Sequence, residues 1–236
     1  MAQQKTSRGN HLAKSTSNGN NRDFTALATA LADIGKDFYS RGWVFGTGGN
    51  FSAVLNPDPL RLAITPTSMD KGALVPSDIL EINAAGEVLA GSSRPSFEYL
   101  LHLAIINARK AGAVLHTHSI WATVLSERDV EQGGFFIQGY EMLKGLEGVK
   151  THEHREWVPV LYNSQDMVSL SESVETVLNQ NPSAHGFLLH GHGLYTWGQT
   201  LQEAKRHVEI LEFLFEVVGR TTYEPKPRMQ RRMQEV

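Results

Sequence analysis

Ten histidines and no cysteine stand in this 236-residue chain, and the histidines include three His-x-His pairs: His116/His118, His152/His154 and His190/His192. Residues i and i+2 of a strand point to the same face, so such a pair can hold one ion. Imidazole suits zinc among the common divalent ions. A catalytic ion keeps three protein ligands and an open position for water or substrate. The lack of cysteine excludes thiolate ligands, a disulfide framework and a cysteine nucleophile together. His116-Thr117-His118 ends an apolar segment, where a core can fix side chains that still reach a cleft; on spacing alone, the same pair could instead bond to loops. In His190-Gly191-His192 the glycine lets the backbone bend, so one ligand is expected from this pair instead of two. His152-Glu153-His154 lies in a charged stretch ending at Glu156 and reads as solvated surface. His102, inside a helix, and His207, on the polar face of the last helix, read as structural. His11 and His185 carry no signal.

Three further segments have the composition of an anion cradle. Gly46-Thr47-Gly48-Gly49-Asn50-Phe51-Ser52 has the glycines that let backbone N–H groups converge on phosphate oxygens. It lacks the lysine and the spacing of a Walker loop or a dinucleotide fingerprint. Ile64-Thr65-Pro66-Thr67-Ser68 adds three hydroxyls, and Arg94-Pro95-Ser96-Phe97-Glu98 adds another, with Ser96 also placed to cap a helix. Each segment alone reads equally well as a turn; their occurrence together with the histidines favours a phosphate site.

The elements that must position these residues can be read from periodicity. Phe24, Leu27, Leu31, Ile34 and Phe38 recur at three- and four-residue steps, so a helix is predicted over 23–40, stopped at Gly42. Helices are also predicted over 96–110, 120–127, 165–179 and 201–218. Strands are predicted over 50–55, 61–65, 81–83, 87–90, 113–118, 158–162, 186–190 and 194–197. Strands and helices alternate without internal repeat, so one α/β domain over 23–219 is expected. Polar tails are expected over 1–22 and 220–236, the first disordered and without the apolar core of a secretory signal. Net charge is −3, from 22 Lys+Arg against 25 Asp+Glu, with no basic stripe; no nucleic-acid partner is suggested. No apolar run approaches the roughly 20 residues that cross a bilayer, and a cytoplasmic location is expected.

In their order along the chain, Gly48-Gly49-Asn50-Phe51-Ser52, Ile64-Thr65-Pro66-Thr67, Pro95-Ser96-Phe97-Glu98, His116-Thr117-His118 and His192-Gly193 resemble the class II aldolase family of zinc enzymes for phosphorylated sugars. The resemblance implies one domain with a central, mainly antiparallel sheet flanked by helices, and a homotetramer. It implies one zinc ion per chain on His116, His118 and His192. His192 is preferred to His190 because Gly193-Leu194-Tyr195-Thr196-Trp197-Gly198 continues as the family turn does. The implied substrate contacts are Gly48, Gly49, Asn50, Thr65, Thr67, Ser68, Ser96 and Lys144. Tyr140-Glu141-Met142-Leu143-Lys144-Gly145, the Leu194–Gly198 run and Ala204-Lys205 resemble the branch that dehydrates 5-methylthioribulose 1-phosphate in methionine salvage. That branch implies Glu141 as catalytic acid, its pKa raised by burial near Met142 and Leu143. Glu98 matches the catalytic glutamate of the aldolases. Two departures stand out: Phe97 replaces a second serine, and His190-Gly191 precedes His192 where asparagine is usual. An aldolase or epimerase on another sugar phosphate is the alternative reading, and a metal-free binding domain is a second.

Overall fold

In a computed structural model of the chain, residues 23–223 are described. The expected tail over 1–22, with His11, lies outside them, as do residues 224–236. The strands are β1 (Asn50–Pro57), β2 (Leu60–Ile64), β3 (Leu80–Asn83), β4 (Val88–Ala90), β5 (Ala113–Thr117), β6 (Gly134–Gln138), β7 (Arg155–Leu161), β8 (Gly186–Leu189) and β9 (Gly193–Gly198). The helices are α1 (Phe24–Ser40), α2 (Tyr99–Arg109), α3 (Ile120–Asp129), α4 (Met167–Gln180) and α5 (Leu201–Tyr223), with short 3-10 turns between. Helix α5 continues past the expected end at 218 and takes in the first residues of the expected C-terminal tail.

The nine strands form one sheet in the order β4-β3-β2-β1-β5-β9-β8-β7-β6. Every neighbouring pair is antiparallel except β7 and β8. This is the α/β domain expected from the pattern of elements, with the mainly antiparallel sheet that the family resemblance implies. β6 is absent from the predicted strands; its pairing with β7 is a tertiary contact.

Alternation along the strands divides the core. Val114, Tyr195 and Trp197 pack with Leu101 and Ile105 of α2 and Val174 of α4 on one face. Ala113, Leu115 and Phe51 face α1 and the start of α5, while Leu188 and Leu194 meet α3 and the rest of α5. Period-2 alternation therefore sends His116 to the α2 face with Val114, and Thr117 to the α5 face.

Caps set the helix starts. Asp23 accepts from the Thr25 amide at 2.9 Å ahead of α1, and Asp166 accepts from Val168 and Ser169 ahead of α4. Helix α2 starts at Tyr99, three residues later than predicted, with Glu98 in the cap position. It ends at Lys110 in the left-handed region (φ 51). Gly49 (φ 72) connects to β1 where a Cβ would lie 2.6 Å from the His116 carbonyl, so only glycine fits there.

Candidate active site

His116 sits at the end of β5, and His118 follows where the chain breaks from the sheet into α3. The His118 amide donates to the Trp43 carbonyl at 2.7 Å, and Ser119 caps α3 by accepting from Ala122 at 3.0 Å. The turn between β8 and β9 brings His192 in from the neighbouring strand. Gly193 there lies directly against the Thr117 carbonyl, where any Cβ would collide. Two strand ends are thus locked together, and three imidazoles meet although His192 lies 76 positions beyond His116.

His118 Nε2 lies 2.8 Å and His192 Nε2 3.2 Å from His116 Nε2. His116 Nδ1 donates to the Leu194 carbonyl at 2.9 Å, which fixes the tautomer and leaves the Nε2 lone pair facing the other two rings. The His116 ring also stacks on Tyr195 at 3.8 Å, and Tyr195 on Phe187 at 5.2 Å. Burial, then the neighbouring imidazoles, hold His116 well below the ordinary histidine pKa. His118 falls to about 4, through burial first, then His192 and Lys71. Burial lowers His192 as well, against the opposing pull of Glu98. Neutral imidazoles are metal ligands and protonated ones are not. Three converging, neutral Nε2 atoms fit a divalent ion, and no thiolate competes for it. His190 turns away, 3.3 Å from Glu127; Gly191 takes φ 62 between the two histidines.

Glu98 is the carboxylate of this centre. Its oxygens lie 3.4 Å from His192 Nε2 and 3.8 Å from His116 Nε2. A buried relay holds it. Ser52 Oγ donates to His102 Nδ1 (2.7 Å), His102 Nε2 donates to Asn50 Oδ1 (2.5 Å), and Asn50 Nδ2 donates to Glu98. Burial drives His102 down to about 3, so this neutral ring accepts at one nitrogen and donates at the other. His102 is structural, as predicted, but what it positions is the site.

The expected phosphate contacts divide. Thr67 and Ser96, with Glu98, line a cavity of about 600 Å³ that is also bordered by Gln165 and by Met167 and Val168 at the start of α4. Ser68 is exposed nearby, in the left-handed region at φ 55. Gly48 lies against the His118 ring. Thr65, by contrast, is fully buried and accepts from the Phe51 amide at 3.0 Å; it braces β1 and does not face the cavity. Asn50 is engaged by Glu98 and His102. A cation the sequence reading missed supports the glycine turn: buried Lys71 donates to the Thr47 and Met69 carbonyls at 3.1 and 2.7 Å. Burial lowers it to about 8, against the pull of Asp70 and Glu98. An isolated lysine in a 3-10 turn gives no sequence pattern by which to find it.

The expectation for Glu141 is overturned in its environment. Glu141 begins the 3-10 turn after β6 and is 71% exposed, ion-paired with Lys144 and 3.8 Å from His152. The hydrogen bond from Lys144 holds its pKa below the usual carboxylate range, not above it. Only Leu143 is buried; Met142 is exposed. β6 ends at Gln138 opposite Arg155, the first residue of β7. β7 runs parallel to β8, so Glu141 and Lys144 lie at the end of the sheet away from the three histidines. Lys144 therefore does not join Thr67 and Ser96.

Three other histidines have surroundings that differ from expectation, although His207 keeps its structural role. His207 is buried, donating to the Trp197 carbonyl at 2.7 Å and accepting from the Glu147 amide at 3.1 Å. His154 and His185 both bond to buried Glu156.

A sheet with a three-histidine centre and an adjacent carboxylate at one end is the framework of a known group of enzymes. The chain belongs to the class II aldolase and adducin N-terminal domain family, whose pattern matches residues 29–218. It is 41% identical over 195 residues to the methylthioribulose-1-phosphate dehydratase of Sorangium cellulosum, covering 82% of this chain and 91% of that one. The enzyme of the same name from Pseudomonas aeruginosa is 43% identical over 191 residues, covering 80% and 92%. Among solved structures, an L-fuculose-1-phosphate aldolase from Thermus thermophilus superposes with a TM-score of 0.68 at 24% identity, over 85% of this chain and 97% of that one; that likeness concerns the fold. None of the helices among the described residues is long and apolar enough to cross a membrane.

Proposed function

We propose that the chain is a lyase that converts 5-methylthioribulose 1-phosphate to 2,3-diketo-5-methylthiopentyl 1-phosphate and water, with zinc on His116, His118 and His192, as a cytoplasmic step of methionine salvage. The observation that carries this reading is the convergence of three neutral imidazoles on Glu98 beside a cavity with hydroxyl groups, in a chain about 40% identical to relatives of that name.

The obstacle is removal of the C3 proton beside the C2 ketone, followed by loss of the C4 hydroxyl as water. The C3–C4 enol that results gains a proton at C4 and loses that of its C3 hydroxyl to give the diketone. A divalent ion held by the three imidazoles supplies Lewis-acid stabilisation of the charge that develops on oxygen, a contribution of several kcal/mol. Glu98, aimed by the Asn50–His102–Ser52 relay, receives the C3 proton. The phosphate is held by the amides of the Gly48-Gly49 turn and the hydroxyls of Thr67, Ser68 and Ser96, with the Lys71 ammonium behind them. Tyr195 and Phe187 stack behind His116 and keep it from swinging away. The departing C4 hydroxyl needs a proton, for which the resemblance implies Glu141. Because Glu141 lies at the far end of its own sheet, on this reading it enters the site of a neighbouring copy, in keeping with the homotetramer implied by the resemblance.

A second reading keeps its footing on one observation: within a single chain, the carboxylate at the centre is the aldolase one, Glu98. Turnover of purified protein on methylthioribulose 1-phosphate and a panel of ketose phosphates tests both. Dehydration of the first supports the proposal; cleavage or epimerisation of another ketose phosphate, with none of the first, overturns it.

A further inference from the structure

At the other end of the sheet from the three histidines, Glu156 of β7 is 1% exposed. A carboxylate removed from water to that extent requires matching positive charge, and two imidazoles provide the ligand atoms around it. His154 Nε2 lies 2.7 Å from Glu156 Oε2. His185, just ahead of β8, places Nδ1 3.0 Å from both carboxylate oxygens and donates its backbone N–H to Oε1 at 2.9 Å. The three donor atoms all lie within 4.8 Å of one another. The two imidazole–carboxylate separations, 2.7 and 3.0 Å, are close to two of those in the His116 centre, 2.8 and 3.2 Å. Tetrahedral zinc with bonds of about 2.1 Å spaces its ligand atoms by about 3.4 Å, so these contacts open by about 0.2–0.7 Å to admit an ion.

The surroundings suit a ligated histidine. His185 Nε2 donates to the Glu147 carbonyl at 2.8 Å, the contact that orients a metal-bound ring and directs its other nitrogen at the ion. His207, which packs on His185 at 5.4 Å between ring centres, has both nitrogens engaged and adds no ligand. A cavity of about 410 Å³, bordered by Arg109, Glu147 and Trp197, reaches His154 and His185 and leaves one side open. We propose that His154, Glu156 and His185 form a second divalent-cation site, which takes zinc through two imidazole nitrogens and one carboxylate oxygen, with a fourth position open to this cavity. Binding replaces the proton on His185 Nδ1, which leaves to solvent, and the ion takes over the charge that balances Glu156. The site is independent of the reaction proposed above.

The test uses the full chain without an affinity tag, stripped by chelator, saturated with zinc and passed through gel filtration before metal analysis. Two equivalents are expected in the unaltered protein and one each in His192→Ala and His154→Ala. A single equivalent at saturation that His192→Ala removes and His154→Ala retains overturns the proposal, and so does a second equivalent that survives in the His154→Ala/His185→Ala protein. Anomalous scattering at the zinc edge from crystals of the unaltered protein needs no variant. A peak between His154 Nε2, Glu156 and His185 Nδ1 supports the site, and a map without one there overturns it.

Discussion

If Glu98 and Glu141 act on one substrate from two different chains, two inactive variants should restore each other. Glu98→Gln and Glu141→Gln keep the shape of each side chain and remove its acidity, so each should lower turnover by about 10²- to 10⁴-fold while retaining metal. The perturbation is local in both cases. Glu98 lies at the centre with Asn50 as its neutral partner, and Glu141 is 71% exposed. Each site takes Glu98 from one chain and Glu141 from another, so a randomly assorted 1:1 mixture has both carboxylates intact at about one quarter of its sites. The mixture should therefore recover about a quarter of normal turnover against a background of about 1% or less. The assay is steady-state turnover on methylthioribulose 1-phosphate after dissociation and reassembly, with subunit exchange verified by native mass spectrometry. A fully exchanged mixture no more active than its components would refute the placement of Glu141 in a neighbour's site. Near-normal activity of Glu141→Gln alone would remove it from the mechanism altogether.

Replacing His116, His118 or His192 by alanine should each remove one equivalent of metal together with activity and leave the far-ultraviolet circular dichroism intact; His190→Ala, a change at a ring facing Glu127, should retain both. Glu212, fully buried under Thr117 Oγ1 at 2.6 Å, is pushed up to about 7 by burial. Its folded-state value exceeds the unfolded one, so ionisation destabilises the fold progressively as pH rises from about 4.5 to 7. Glu212→Gln should thus be more stable than the unaltered protein by about 2–3 kcal/mol at pH 8 and by much less at pH 5, read from urea denaturation; a gain confined to acid pH would contradict the sign. Crystals soaked in phosphate or sulfate should show an anion held by the Gly48-Gly49 amides with Thr67, Ser68 or Ser96, and an anion far from these segments would dismiss the assignment.

Much of this molecule is legible in the chain because its information is local or periodic. Helix α1 follows from the spacing of Phe24, Leu31 and Phe38 and from its Asp23 cap, and β5 from an apolar run that ends in His-Thr-His. The identity of the three histidines comes through short segments whose order matches a known family. Other features depend on contacts distant in sequence. β6 exists by pairing with β7. His102 and His207 show only their helical surroundings in sequence, yet burial turns one into the support of Asn50 and the other into a bridge between Trp197 and Glu147. His154, Glu156 and His185 become a cluster only because β7 and β8 lie side by side. Glu141 stands beside Met142 and Leu143 in sequence, but the turn buries Leu143 alone and leaves the carboxylate with Lys144. Residue type and spacing settle which groups can bind a metal or move a proton. Which of them meet, and whether water reaches them, is decided by strand order and burial, since the energy of a charge depends on surroundings that the chain supplies from far away.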